Sequence, residues 1–157
     1  MSFPTVRIMQ LATLYAHYQN LFMYLMGSRE IGKLRMVFKE LDYPDFWKNH
    51  FTLEKESSVH SLKTISDEMV DRIIINVIIP IKYVYAMERG SDVSEELIEW
   101  LHQLPPEKNT VIQNFSKLGI KAGSAFESQA LLELKKHFCN EKKCLNCALG
   151  LQILKNV

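Results

Sequence analysis

One apolar stretch decides the fold of this chain: Ile73-Ile74-Ile75-Asn76-Val77-Ile78-Ile79-Pro80. Its β-branched residues are typical of a buried strand. Three features favour a helix instead. The pattern continues unbroken over Asp67–Arg89, Asp67 and Asp71 mark one polar face at i and i+4, and a proline inside a strand is confined to sheet edges. The stretch is therefore predicted to be a helix.

The proline that ends this stretch predicts a kink. Pro80 has no N–H group to bond the carbonyl of Asn76, so the helix should bend at this point. Asn76 is then expected as a buried amide beside a freed carbonyl. We interpret it as a local structural repair, with a polar notch that serves as a site as the alternative. The chain should thus contain a buried central helix that is kinked at Pro80.

Helical patterns also occur on both sides of the central stretch. A first helix is predicted over Pro4–Met26, with one narrow polar stripe, and Gly27 should end it. A second is expected over about Arg29–Leu41. Later helices should cover about Asp92–Leu104, Pro106–Leu118, Ser124–Phe138 and Cys144–Lys155, the last burying Leu145, Leu149 and Ile153. The predicted fold class is all-α: a single compact domain, residues 1–157, of six or seven helices.

Length and composition agree with one globular domain. The chain has 157 residues, of which 47% are hydrophobic and 24% charged, so wholesale disorder is excluded. The most apolar segment, Met69–Met87, contains charged residues and a proline, which excludes a membrane span. Three cysteines do not form an even disulfide framework, and no secretory signal is visible. We expect a cytoplasmic protein with reduced thiols and no membrane partner.

The chemistry-bearing residues lie near the C-terminal end, where all three cysteines follow a Cys-x4-Cys-x2-Cys spacing. Cys144 and Cys147 should share a face in the first turn of the last helix, and Cys139 can fold back from the preceding one. Three thiolates suit zinc, and a structural zinc site takes four ligands. His137 is the nearest candidate for the fourth, provided that its helix unwinds at the end. The predicted metal ligands are Cys139, Cys144, Cys147 and His137.

Several alternatives to this zinc site stay open at the level of sequence. The fourth ligand could come from His50, His60, His102 or a partner chain, and an iron–sulfur cluster could replace zinc. The cysteines could also be inert buried residues. A redox or nucleophilic role of Cys144-x-x-Cys147 is the last alternative, although no thioredoxin-like βαβ pattern surrounds it.

Five stretches carry a resemblance to a known family: Phe3–Ile8, Asp71–Pro80, Leu104–Asn109, Glu127–Lys135 and Cys139–Gly150. Together they resemble the C-terminal part of an uncharacterised bacterial family, catalogued as domain of unknown function 2851. The resemblance implies a longer family architecture with an upstream region that could hold catalytic residues. It implies no established activity, and it directs interest to Arg7, Asn76, Glu127, Gln129 and the three cysteines.

Three functions fit these observations. The first is a non-catalytic interaction or scaffold module, whose partner is another protein domain or further copies of the chain. The second is a nucleic-acid-associated accessory domain, because residues 101–157 carry eight lysines against four acidic residues. The third is a thiol-dependent enzyme that uses Cys144-x-x-Cys147. Since no catalytic motif is recognisable in the chain, we prefer the first.

Overall fold

The computed structural model describes residues 3–58, 60 and 63–155, with the backbone alone at 153 and 154. These residues form helices and no strand, apart from one isolated bridge between His50 and Glu56. The all-α fold class is therefore confirmed. Contacts divide the chain into two compact units, Met1–Asp92 and Val93–Val157. A single domain over residues 1–157 stays a prediction.

The first unit contains the central stretch and the helices that precede it. Its elements are α1 (Pro4–His17), α2 (Leu21–Gly27), α3 (Ile31–Lys39), a 3-10 turn (Asp45–Lys48), α4 (Asp67–Ile73), a π-helical segment (Ile74–Ile78) and α5 (Ile79–Glu88). The last three follow one another without a break and are called the long helix here. Among the residues that the structure describes, no helix combines the length and the apolarity that crossing a bilayer requires.

The long helix confirms that the β-branched stretch is helical. Its burial follows a helical period, since Ile74, Ile75, Ile78 and Ile79 are buried whereas Val77 between them is exposed. The backbone leaves α-helical geometry just before the proline, and the N–H of Ile79 bonds the carbonyl of Ile74, five residues back. A π-helical turn is a common cause of a distortion in a helix. The backbone therefore departs from α-helical geometry in the turn before Pro80, and the kink itself stays a prediction.

Asn76 differs from its prediction. Its side chain is exposed, not buried, and its Nδ2 donates to the carbonyl oxygen of Arg72 at 3.1 Å. The expected buried polar notch is therefore absent, because Asn76 lies on the same side of the long helix as the exposed residues Arg72 and Pro80. The interpretation as a local repair agrees with this bond to the helix's own backbone.

The predicted first helix is divided in two. Its chain leaves helical geometry at Tyr18, which has φ −113° and ψ 99°, and α2 begins at Leu21. A single straight helix over Pro4–Met26 could bury only one of its sides against the core, although most of its residues are apolar. The break allows Leu21 and Met26 of α2 to be buried as well. With each π-helical segment counted in the helix it continues, the described residues form eight helices.

Three charged side chains are buried in the first unit, and all three have protein partners. Nζ of Lys63 donates to the carbonyl oxygen of Lys48 at 3.4 Å and lies 3.9 Å from the centroid of the Phe51 ring. Asp71 accepts from Arg35 of α3, with Nε at 2.8 Å and Nη2 at 2.7 Å from its Oδ1. Lys82 is only 5% exposed, and its Nζ donates to the carbonyl oxygen of Met26 at 2.9 Å and to that of Ser28. These carbonyls end α2, so a buried ammonium group caps that helix.

The second unit contains α6 (Ser94–Gln103), α7 (Thr110–Lys117), α8 (Ala125–Leu134), a π-helical segment (Lys135–Cys139), a 3-10 turn (Cys144–Asn146) and α9 (Ala148–Lys155). The expected burial of Leu145 and Leu149 is wrong, because both side chains are exposed. The expected burial of Ile153 falls outside the described side chains. Leu97, Trp100 and Leu104 are buried in this unit.

Candidate functional site

The structure separates the three cysteines among different elements. Cys139 ends the π-helical segment and is exposed, and Cys144 begins the 3-10 turn and is also exposed. Cys147 is half-buried, has an extended backbone and directly precedes α9. The prediction that Cys144 and Cys147 share the first turn of the last helix is therefore wrong. All three are free thiols.

The predicted histidine ligand lies among carboxylates. Nε2 of His137 is 3.6 Å from Oε2 of Glu133, and Nδ1 is 3.9 Å from Oε1 of Glu141. A hydrogen bond and the positive charge from Lys143 lower the pKa of the Glu141 carboxyl. Both ring nitrogens of His137 thus face acidic groups of its own segment.

The zinc prediction therefore finds no preformed site. No group of three or more His, Cys, Asp or Glu side chains in the described part of the chain is arranged to hold a metal ion. Two of the alternative fourth ligands are also engaged elsewhere: the ring of His50 stacks on Phe46, and that of His102 stacks on Phe126. Zinc binding at the cysteines stays a prediction.

Two residues of interest in the second unit have structural contacts. The Ser124 hydroxyl accepts from the backbone N–H of Glu127 at 3.3 Å, and the Glu127 carboxylate accepts from that of Gly123 at 2.6 Å, so α8 begins with a variant of the capping box. Gln129 donates through Nε2 to the carboxylate of Glu107 at 2.8 Å. These bonds join α8 to the loop before α7. They account for Glu127 and Gln129 without catalysis.

The first unit contains an apolar pocket of about 510 Å³. Its walls come from α1 and the long helix, with Leu11, Leu14 and Tyr15 on one side and Ile73 and Val77 on the other. Pockets of about 300–1,000 Å³ with an apolar lining are the usual form of a binding site. The sequence analysis missed this pocket, since it interpreted the same residues only as core.

The polar groups of this pocket lie at one end. Nη1 of Arg7 donates to Oε1 of Gln10 at 2.8 Å, and Nε2 of Gln10 donates to the carbonyl oxygen of Lys63 at 2.5 Å. Tyr43 lies near this end: burial raises the pKa of its hydroxyl, and the nearby Ile65 backbone and the Arg7 charge oppose that rise. Gln10 is buried, so this bond chain holds Arg7 in place at the pocket.

A second apolar pocket, of about 450 Å³, lies between α2 and α5. Phe22 of α2 lines it together with Pro80, Ile81 and Val84, and Glu88 lies at the end of α5. Val77 of the first pocket and Ile81 of the second are one helical turn apart and share a face. One lining residue from each pocket therefore lies on the same side of the long helix.

The exposed apolar side chains that line these two pockets are together called the apolar face. It consists of Leu11, Tyr15, Phe22, Val77, Ile81 and Val84, each of which is between 44% and 63% exposed. Large exposed apolar patches are rare on monomeric proteins and usually mark interaction sites. The apolar face is the strongest candidate for a functional site in the described residues.

Comparison with known proteins places the chain in a family. A family model with the description "Protein of unknown function (DUF2851)" matches residues 1–110. The match covers the whole first unit and ends before the cysteine cluster. No curated protein and no solved structure matches the chain. The chain belongs to the DUF2851 family.

Proposed function

We propose that this member of the DUF2851 family is a non-catalytic protein–protein interaction module and that the apolar face is its docking surface. The observation that carries the proposal is the exposure of Val77 and Ile81, which are 47% and 44% exposed in the middle of a β-branched helix. Burying one such side chain completely is worth roughly 1.5–3 kcal/mol relative to leaving it exposed. A partner that covered the face would gain part of this free energy at several positions.

The composition of the face supports protein binding. Aromatic side chains are enriched in the buried centres of protein interfaces, whereas charged residues are depleted there. The face contributes Tyr15 and Phe22, and the ring of Phe22 contacts that of Tyr85 edge-on at a centroid distance of 5.2 Å. This contact holds one of the aromatic groups in place before a partner arrives.

We propose a non-catalytic role because the buried charged side chains of the first unit bind other parts of the fold. Asp71 is paired with Arg35, Lys82 caps the end of α2, and Lys63 donates to the carbonyl oxygen of Lys48. All three groups are therefore engaged by partners within the fold. The nucleic-acid and thiol-enzyme hypotheses stay predictions.

Site-specific photocrosslinking in the native host tests the proposal. A photoreactive amino acid would replace Ile81 on the face or, as the control, Ile98 on α6. The control is matched, because both positions are helical isoleucines, with exposed fractions of 44% and 43%. We expect the label at position 81 to form an adduct with one protein that mass spectrometry identifies, and the label at position 98 to form none. No adduct at 81, or equal adducts at both positions, would contradict the proposal.

A further inference from the structure

We infer that the 510 Å³ pocket of the first unit, called the first pocket here, binds a free medium-chain fatty acid, with the carboxylate at Arg7 and the alkyl chain between α1 and the long helix. The inference goes beyond the interaction function proposed above, because it concerns a small molecule inside the pocket rather than a protein on its exposed rim. It follows from the length, the floor and the charge of the pocket.

The first pocket is an elongated space between two rows of helical side chains. Its lining from α1 begins at Arg7 and reaches Tyr15, and its lining from the long helix runs from Met69 through Ile73 to Val77. The ends of each row are eight positions apart, which is about 12 Å at a rise of about 1.5 Å per residue. An extended alkyl chain advances by somewhat less than one C–C bond of about 1.5 Å per carbon, so roughly ten carbons span this length.

The floor of the first pocket is apolar and is formed by the fold itself. Leu14, Leu21, Phe38 and Ile78 line the pocket, and each of them is at most 8% exposed. A methylene group has about the volume of a water molecule, about 30 Å³, so ten of them would fill roughly 300 Å³ of the 510 Å³. Length and volume therefore agree on a single chain of this size, and no second protein is required to complete the floor.

The charge of the pocket selects the head group of the ligand. Among the described residues that line it, Arg7 alone is charged. Nη1 of Arg7 donates to Oε1 of Gln10, and because Gln10 is a neutral amide, this bond orients the guanidinium group without neutralising it. Guanidinium and carboxylate groups match in a planar, bidentate pair. An apolar pocket with one cation at its end therefore fits an apolar chain with one carboxylate.

The charged residues of α4 do not alter this complementarity. Asp67 accepts from Lys39 of α3 at 2.6 Å, and Glu68 lies 3.5 Å from Arg72. None of these four side chains belongs to the described lining of the first pocket. The carboxylates at the start of the long helix are thus engaged outside the pocket.

A second polar group close to Arg7 is suited to the same carboxylate. The hydroxyl oxygen of Tyr43 is buried, and within the described part of the chain nothing accepts its proton. The Arg7 charge and the backbone of Ile65, which lines the pocket, both oppose the rise that burial causes in the pKa of this hydroxyl, so both lie close to it. A buried donor without an acceptor is unfavourable. A carboxylate bound at Arg7 would supply the acceptor.

Calorimetric titration of the purified full-length chain with decanoate tests the inference. We expect one saturable site, and binding of decanol, which has the same chain without the charge, that is at least about tenfold weaker. From hexanoate to tetradecanoate, each added methylene group should tighten binding by up to about fourfold until roughly ten to twelve carbons, and by little thereafter, because longer chains leave the pocket. No binding of decanoate, equal binding of decanol, or affinity that rises along the whole series would overturn the inference.

A tryptophan at the rim locates the bound chain. Val77→Trp would fill the mouth of the first pocket, and Ile98→Trp is the matched control, because both residues are β-branched, helical and similarly exposed, at 47% and 43%. Val77→Trp should weaken decanoate binding by about tenfold or more, and Ile98→Trp should leave it unchanged. Circular dichroism establishes that both variants fold. Equal affinities in the two variants would show that the chain binds elsewhere and would overturn the inference.

Two further variants test the position of the carboxylate. Arg7→Gln should bind decanoate about tenfold more weakly and lose most of its preference over decanol, whereas Arg29→Gln, which removes an exposed charge outside the described lining, should keep both. Tyr43→Phe removes only the hydroxyl and should weaken binding of decanoate but not of decanol. Wild-type preference in a folded Arg7→Gln variant, or in Tyr43→Phe if Arg7→Gln does not fold, would overturn the inference.

Failure of this inference and failure of the proposed function have different signatures. Decanoate binding to the purified chain without a protein adduct at position 81 would refute the docking function and support the fatty-acid site. A protein adduct at position 81 without decanoate binding would do the reverse.

Discussion

A buried lysine provides the sharpest test of how the first unit is held together. Lys82 points its ammonium group at the carbonyl oxygens of Met26 and Ser28, and both of these residues are themselves buried. Lys82→Met keeps a side chain of similar length and apolar character but removes the donor. We expect this variant to be less stable than the wild type.

The magnitude follows from opposing contributions. Removing the ammonium relieves its desolvation cost, which is several kcal/mol for a buried ion. Against this, the variant loses two hydrogen bonds from a charged donor to buried carbonyls, worth roughly 1.5–3 kcal/mol each. It also loses the interaction of the cation with the dipole of α2, about 0.5 kcal/mol. We expect a net loss of about 2 kcal/mol in the free energy of unfolding.

Urea unfolding followed by circular dichroism measures this loss. Lys33→Met is the matched control, because Lys33 also lies close to the end of α2 but forms an exposed ion pair with Glu30 at 2.7 Å. Exposed pairs contribute about 0.2–1 kcal/mol, so the control should change stability only slightly. Equal stability changes in the two variants, or a Lys82→Met variant as stable as the wild type, would refute the reasoning.

Three further predictions follow from single residues. Burial raises the pKa of Tyr43 above its ordinary value of about 10. The stabilising contribution of its neutral hydroxyl is therefore complete below pH 10 and is lost as the pH rises through the raised pKa. In melting curves from pH 8.5 to 11, the melting temperature of Tyr43→Phe should fall less with rising pH than that of the wild type. A Cβ on Gly150 would lie 2.3 Å from the carbonyl oxygen of Cys144, so Gly150→Ala should weaken the packing of the 3-10 turn on α9 and speed amide hydrogen exchange in both. A Cβ on Gly32 would have nothing within 4 Å, so Gly32→Ala should stabilise α3 by about 0.5–1 kcal/mol. Iodoacetamide should modify the two exposed cysteines of the native protein faster than Cys147; slow modification of all three that a chelator accelerates would instead support the zinc prediction.

The helical nature of the central stretch could be predicted because two local rules agreed. The length of the periodic pattern and the position of Pro80 both excluded a central strand. The π-helical turn at Ile74–Ile78 could not be predicted, since it depends on how the helix is held on both sides of the proline. The predicted burial of Asn76 was wrong because which side of the long helix is covered depends on neighbours that are distant in sequence.

The candidate site was harder to predict than the fold. Cysteine spacing shows which thiols could meet, but not whether the backbone between them lets them meet. The turn at Lys142, with φ 54°, and the separate 3-10 turn at Cys144 leave the thiols on different elements. The apolar face was hidden for the opposite reason: its residues have the composition of a core, and composition does not distinguish a covered side from an exposed one.

Local interactions along the chain determined which segments are helices, because periodicity, capping residues and prolines act within one or two turns. Only the tertiary structure decided which sides of those helices are covered, since burial depends on neighbours that are distant in sequence. The first unit covers Ile74 and Ile78 and leaves Val77 and Ile81 exposed, although all four are aliphatic and β-branched. Their different surroundings depend on which parts of the other elements of the first unit pack against each side of the long helix.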